Sequence, residues 1–361
     1  MHVISLVDQV VPAEENSLIL EKKYRALGGS VTILPNQKGK YSCKGHHFPL
    51  DDPKRCASFI RDNTPLPQLE GSRPNIILVM TDDQGMGDLS CMGNPILKTP
   101  HLDTFHDLST RFREYHVSPT CAPTRAALFS GRHEFRNGVT HTIHERDRMA
   151  LSTTTFAELL AKNGYETGIF GKWHLGDTAG RQPHERGFDE WWGLLETHDS
   201  SLWASAPGYD PQVVPPAQLF EGRRDGGPST PLGDYDAKQR ALFDGHVFDR
   251  THEFIRRSVD ADLPFFAYMP VAFPHFPTLP HPDYEGSTGL GPFADSFHEM
   301  DERVGELTDL LDELDIADDT LFVFTSDNGA EDVLPWRGWT GPWGGSYFTA
   351  MEGCLRVPFI A

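Results

Sequence analysis

The chain is poor in cysteine, has no long apolar run, and is short of positive charge. Its five cysteines (Cys43, Cys56, Cys91, Cys121 and Cys354) form no Cys-x-x-Cys pair, and an odd one is left over. That count and spacing argue against a disulfide framework and against a structural zinc site. No apolar stretch approaches the ~20 residues of a membrane span. Lys and Arg total 32 against 52 Asp and Glu, a formal charge of −20. Nucleic acid and anionic membrane surfaces both select a basic face, so neither is expected as a partner. The opening residues carry Asp8, Glu14 and Glu15 and no basic stretch leading into a long apolar one. They do not read as a secretory signal, and localisation stays open.

What is there is a globular composition, 38% hydrophobic over 361 residues. At ~150 residues per domain this suggests two domains, or one large α/β unit with an appendage. Residues 1–62 read as a small α/β segment, with strands at 2–7 and 30–34 and helices at 14–27 and 53–61. The Gly28-Gly29 pair is the stop signal for the first of these helices. Residues 63–72 are proline-interrupted and aperiodic, which predicts a linker. Residues 73–361 form the larger part.

That part opens on an uninterrupted apolar run at 75–80, the pattern of a strand buried on both faces. Further strands are expected at 165–170, 264–269 and 321–325, and helices at 153–162 and 298–314. In the last helix Met300, Val304, Leu307, Leu311 and Leu314 recur at helical spacing. Alternating strands and helices predict an α/β fold with a mainly parallel sheet sandwiched by helices. Residues 176–245, rich in Gly, Pro and Asp, are expected to be loops shaping a pocket. The chain ends on an apolar segment, Leu355 to Ala361, and a domain rarely stops in mid-strand, so a chain cut short is expected.

Polar residues follow the predicted strands: Asp82-Asp83, then Lys172 and His174, then His275, then Asp327-Asn328. Open α/β sheets bind ligands at that edge, so these distant groups are expected to converge. Three carboxylates and an amide are hard oxygen ligands suited to Ca²⁺ or Mg²⁺. Each signal alone has a plainer reading: Asp-Asp as a helix cap, Asp327-Asn328-Gly329 as a turn. Cys121-Ala-Pro-Thr-Arg125 predicts a helix that starts near Cys121, carries Pro123 in its first turn and ends at Gly131. The helix N-terminus favours an anion, and Arg125 lies one turn on. The plainer reading here is a buried, inert cysteine beside a surface arginine.

Cys121-x-Pro123-x-Arg125, continued by Ala-Ala-Leu-Phe-Ser-Gly-Arg132, resembles the signature of the type I sulfatases. Matching segments occur in that family's order: Arg73 to Gly85, Gly171-Lys172-Trp-His174-Leu-Gly176, Arg186-Gly-Phe-Asp189, Pro274-His275-Phe-Pro277 and Ser326-Asp327-Asn328-Gly329. The likeness covers residues 73–361 and is strongest to the arylsulfatase A and N-acetylgalactosamine-6-sulfatase group. It implies an alkaline-phosphatase-like sulfatase core, an incomplete N-terminal catalytic domain without the family's smaller C-terminal subdomain. It also implies a formylglycine maturation enzyme as partner, which converts Cys121 to Cα-formylglycine, and a sulfated small molecule or glycan as substrate.

By the same resemblance Asp82, Asp83, residue 121, Asp327 and Asn328 bind Ca²⁺, with Mg²⁺ as the alternative. One hydroxyl of the hydrated aldehyde attacks sulfur. Arg125 and Lys172 hold the hydrate and the sulfate, His275 protonates the leaving oxygen and His174 serves as base. His141, His144, His184, His198 and His281 are given no role. One departure stands out. The family's further Lys, due between Gly329 and Met351, is missing, and Arg337 is the only cation in that interval.

Residues 1–62 resemble the C-terminal end of an α/β-hydrolase esterase, with Asp8 and His46 in the places of triad acid and base. No Gly-x-Ser-x-Gly occurs, so no esterase activity is expected. The alternatives to a working sulfatase are an inactive truncated fragment and a phosphodiesterase or phosphonate hydrolase of the same superfamily.

Overall fold

The computed structural model describes residues 2–5, 33–36 and 73–361. The chain divides into two units, at residues 1–73 and 74–361. In the first, β1 (His2–Ser5) pairs in parallel with β2 (Ile33–Asn36). The two helices expected there, and Asp8 and His46, lie outside the described residues.

The second unit is built on one eight-stranded sheet. Its strands are β3 (Asn75–Asp82), β4 (Glu166–Lys172), β5 (Glu190–Leu194), β6 (Gln218–Arg223), β7 (Thr230–Asp234), β8 (Phe265–Pro274), β9 (Thr320–Ser326) and β10 (Phe359–Ile360). The spatial order is β10-β9-β3-β8-β4-β5-β6-β7. The strands from β9 to β5 run parallel, while β10, β6 and β7 add antiparallel edges.

Successive side chains of a strand face opposite sides, so a strand buried on both faces must be apolar throughout. β3 shows this directly. Ile77 and Val79 enter one core and Leu78 and Met80 the other. β8 divides its residues in the same way, Ala267 and Met269 against Phe266 and Tyr268. The first core is closed by α1 (Pro100–Leu108), α4 (Ala237–Asp260) and α5 (Pro292–Glu313), through Leu102, Phe254 and Leu307 among others. The second is closed by α2 (Cys121–Ser130) and α3 (Phe156–Lys162), through Ala126, Phe129 and Ala157. This is the expected sheet sandwiched by helices.

Local chemistry sets the helix ends. α3 begins at Phe156 because Thr155 and Glu158 form a reciprocal cap. α5 begins at Pro292, earlier than the expected residue 298, because proline suits the first turn and Phe297 extends the apolar stripe. The expectation that residues 176–245 are loops is corrected. They hold β5, β6, β7 and the first turns of α4, which Asp236 caps through the Gln239 N–H. β7 is exposed along its whole length and contains Pro231, which an edge strand tolerates.

Candidate active site

Each of the five parallel strands delivers a polar group at its carboxyl end. β3 ends on Asp82 and Asp83, β4 on Lys172 with His174 two residues on, and β8 on His275. β9 is followed by Asp327 and Asn328, and β5 leads through a short loop to Thr197 and His198. Cys121 joins them as the first residue of α2, whose last turn closes on Gly131 in the left-handed conformation, φ 60°. Cys121, Asp82, Asp83, Arg125, Lys172, His174, His275, Asp327 and Asn328 are all buried. Two of them, Asp83 (φ 61°) and His174 (φ 57°), hold left-handed backbone without being glycine. Such strain collects where a site must aim a side chain.

Glycines let the backbone close around this set. Gly171 has φ 136°, and a Cβ there would lie 2.2 Å from the Pro270 carbonyl oxygen of the adjacent strand. At Gly85, just past the Asp82-Asp83 pair, a Cβ would lie 2.3 Å from the Trp339 carbonyl oxygen.

The cations are committed to the acids. Arg125 donates from Nε and Nη2 to Asp327 Oδ2 at 2.9 and 2.7 Å, and from Nη1 to the Lys172 carbonyl at 3.1 Å. Lys172 Nζ donates to Asp82 Oδ2 at 2.5 Å. Burial works against ionised Asp82, but Lys172, His275 and Arg125 outweigh it and hold that carboxyl well below the usual range. Asp83 goes the other way: burial first, then Glu331, Asp82 and Asp327, push it well above. Burial and Asp82 likewise raise Asp327, to about 7, against the pull of Arg125.

Hydrogen bonds settle two histidine tautomers. His174 Nε2 lies 3.0 Å from the Thr142 carbonyl, which can only accept, so Nε2 carries the proton. Its Nδ1 lone pair then faces Cys121 Sγ at 3.5 Å. His275 Nδ1 donates to the Phe276 carbonyl at 2.5 Å. Its Nε2 faces Asp83 Oδ2 at 3.5 Å and Thr197 Oγ1 at 3.3 Å. Burial, with Lys172 adding to it, lowers His275 to about 4. The Cys121 thiol is pushed well up, chiefly by burial.

The donor set fits a hard divalent cation. Asp82 Oδ1, Asp83 Oδ2 and Asn328 Oδ1 are buried and have no hydrogen-bond partner. Ligand atoms of Asp82, Asp83 and His275, and those of Asp82, Cys121 and Asp327, lie within 4.8 Å of one another. Orphaned buried oxygens are costly, and the crowding raises Asp83; a cation among them would relieve both.

Sequence reasoning passed over three groups at the site. Glu331 sits beside Asp83, and burial raises it to about 7. His198 and Tyr235 meet as a buried pair, Nδ1 to hydroxyl at 2.9 Å. Tyr268 Oη lies 3.4 Å from Arg125 Nη1. Three residues that the sequence marked lie elsewhere. Arg337 is on the surface, its Nε 2.8 Å from Asp332 and its side chain 64% exposed. Arg186 and Asp189 brace the fold: Arg186 donates to the Thr153 carbonyl, and Asp189 receives the Thr167 N–H and hydroxyl.

A parallel sheet with buried acids, cations and imidazoles at its carboxyl edge defines the sulfatase, alkaline-phosphatase-like class of α/β protein. The chain belongs to the sulfatase family, whose family model, described as Sulfatase, matches residues 74–361. It is 33% identical to human arylsulfatase A over 302 residues, which cover 80% of this chain and 58% of that protein. It is 34% identical to human N-acetylgalactosamine-6-sulfatase over 306 residues, covering 80% and 56%. The crystal structure of the PsFucS1 sulfatase from Pseudoalteromonas sp. superposes with a TM-score of 0.75 at 29% identity, covering 86% of this chain and 66% of that one. The chain thus spans a little under three-fifths of the length of these two curated relatives.

Proposed function

We propose that this protein hydrolyses a sulfate ester, an aryl or carbohydrate sulfate, using Cys121 matured to Cα-formylglycine and a bound Ca²⁺ or Mg²⁺. The observation that carries the reading is the meeting of Cys121 with three orphaned acceptor oxygens and two buried cations, in a chain of the sulfatase family. The names of the relatives, an arylsulfatase and a sugar 6-sulfatase, support that substrate class.

Asp82, Asp83, Asp327 and Asn328 would hold the cation together with residue 121. When present, the cation would supply Lewis-acid stabilisation of negative charge, and the aldehyde, once hydrated by water, would supply a hydroxyl as nucleophile in place of the thiol. The rest falls to the chain's own side chains. Arg125, locked by Asp327 and the Lys172 carbonyl, fixes the position of residue 121. Lys172 offers the remaining Nζ protons to the ester's oxygens. Donors fixed in advance need no reorganisation when charge develops. His174, with Nδ1 free of a proton and turned to residue 121, accepts a proton there. His275 must take a second proton, on Nε2, to act as acid toward the leaving oxygen; Asp82 and Asp199 favour that imidazolium against the burial and the Lys172 charge that oppose it.

The test is co-expression with a formylglycine-generating enzyme, followed by assay of 4-nitrophenyl sulfate and sulfated sugars with Ca²⁺. Sulfate release that disappears in Cys121→Ala is the expected result. A folded, matured protein that releases none would overturn the reading. A higher kcat/KM on 4-nitrophenyl phosphate would move it to the phosphate branch of the superfamily.

A further inference from the structure

Two buried side chains at the site have no part in the chemistry above. His198 is fully buried at the end of the β5 segment, and Tyr235, which meets its Nδ1, is 2% exposed. The other ring nitrogen of His198, Nε2, is buried with no hydrogen-bond partner. It lies 3.7 Å from Asp82 Oδ2, too far for a hydrogen bond. It therefore faces the catalytic cluster without being satisfied by it. The His198 and His275 rings are 5.8 Å apart, so the two imidazoles are neighbours at the site.

The inventory of donors gives this orphan a use. A sulfate group brings several acceptor oxygens into a site already crowded with carboxylates. Among the described residues there, Arg125 and Lys172 are the side-chain cations; Arg125 is engaged by Asp327, and Lys172, engaged by Asp82, has only its remaining Nζ protons for the sulfate. The interval where a further lysine is due contains only Arg337, which is turned to Asp332 at the surface. A neutral imidazole that accepts the Tyr235 hydroxyl proton at Nδ1 carries its own proton on Nε2. The nearby Asp82 carboxylate favours that tautomer.

We propose that His198 Nε2 donates a hydrogen bond to an oxygen of the bound sulfate group, with Tyr235 fixing the tautomer that makes it a donor. This deepens the sulfate-ester reading and rests on it. His198 supplies this donor from the first residue of the short 3-10 helix that follows β5.

The experiment uses the matured full chain loaded with Ca²⁺, as parent, His198→Ala and Tyr235→Phe. The probe is inorganic sulfate, its binding measured by calorimetry and as competitive inhibition; Ca²⁺ affinity is measured alongside. A donor to a charged acceptor corresponds to about tenfold to hundredfold in affinity. His198→Ala is expected to weaken sulfate by that factor and leave Ca²⁺ affinity within about twofold. Tyr235→Phe, which keeps the packing, is expected to give a smaller loss in the same direction, and it carries the test should His198→Ala fail to fold. Unchanged sulfate binding in folded variants overturns the proposal. So does weakened Ca²⁺ with unchanged sulfate, because His198 would then serve Asp82 instead. If the parent releases sulfate from esters but the variants bind it as the parent does, the proposal alone fails. If the parent neither binds nor releases sulfate, the sulfate-ester reading falls with it.

Discussion

Arg125 places two guanidinium nitrogens on a single oxygen of Asp327, Nε at 2.9 Å and Nη2 at 2.7 Å, and neither side chain is exposed. The pair ties α2 to the end of β9, and a third nitrogen of the same side chain reaches the end of β4. Removing one partner of a buried pair leaves an uncompensated charge, which costs about 3–5 kcal/mol. Arg125→Ala should therefore lower the unfolding midpoint as well as activity. Chemical denaturation of the metal-free protein checks this. A variant as stable as the parent would mean that the pair is not closed in solution.

Asp83 is a frustrated acid in the metal-free protein. Burial, Glu331, Asp82 and Asp327 all oppose its charge. Asp83→Asn keeps the size and removes the repulsion. Relief of this kind is worth about 0.5–2 kcal/mol, so the metal-free variant should melt a few degrees higher than the parent. Ca²⁺ at 100 times its Kd should stabilise the parent by about 2.7 kcal/mol. The variant should lose most of that gain. Thermal melts with and without Ca²⁺ read both effects, and an undiminished Ca²⁺ shift in Asp83→Asn would remove this residue from the cation site.

The sequence makes the centre of the sheet legible for a physical reason. β3, β8 and β9 are buried on both faces, so their apolar runs are continuous, and the polar residues that end them stand out. Cys121 and Arg125 are legible because Pro123 and Gly131 punctuate a helix around them. β5 is a different case. It reads Glu-Trp-Trp-Gly-Leu: Glu190 is buried by pairing with Arg223 and Arg257, and Gly193 sits at φ 147° against the Gly171 carbonyl. Charge and glycine in a short run mimic a loop, so the strand goes unseen. His198, which opens the 3-10 helix after that strand, is then one histidine among seventeen. The sequence also leaves open whether Arg337 can stand in for the absent lysine. Only the fold decides that, by turning it outward to Asp332.

α5 gives the direct test of the larger core. Leu307 is fully buried among residues of the sheet and neighbouring helices. Truncating a buried leucine costs about 2–5 kcal/mol, the transfer term plus the cavity left behind. Leu307→Ala should lower the urea midpoint while leaving the m-value unchanged, since the surface exposed on unfolding is nearly the same. A much smaller loss would mean that the helix is not packed on the sheet through this face.

Asp88 offers a pH signature separate from the catalytic groups. It is buried, and it accepts the Gly85 N–H at 2.8 Å and the Trp339 N–H at 2.7 Å, which pins the 336–345 loop beside the end of β3. Burial raises its carboxyl to about 7, against the pull of those two N–H groups. Unfolded, an aspartate titrates near 4. Between about 4 and about 7 the folded chain therefore holds a proton that the unfolded chain has released. Stability from this group is fully present below that window, falls as pH rises through it, and is level above it. Asp88→Asn cannot titrate and keeps an acceptor oxygen. Its melting temperature should fall less steeply than the parent's from pH 4 to pH 7, and the two curves should run parallel above pH 7. Parallel curves through the whole range would show that the Asp88 carboxyl ionises in the folded protein as it does in water.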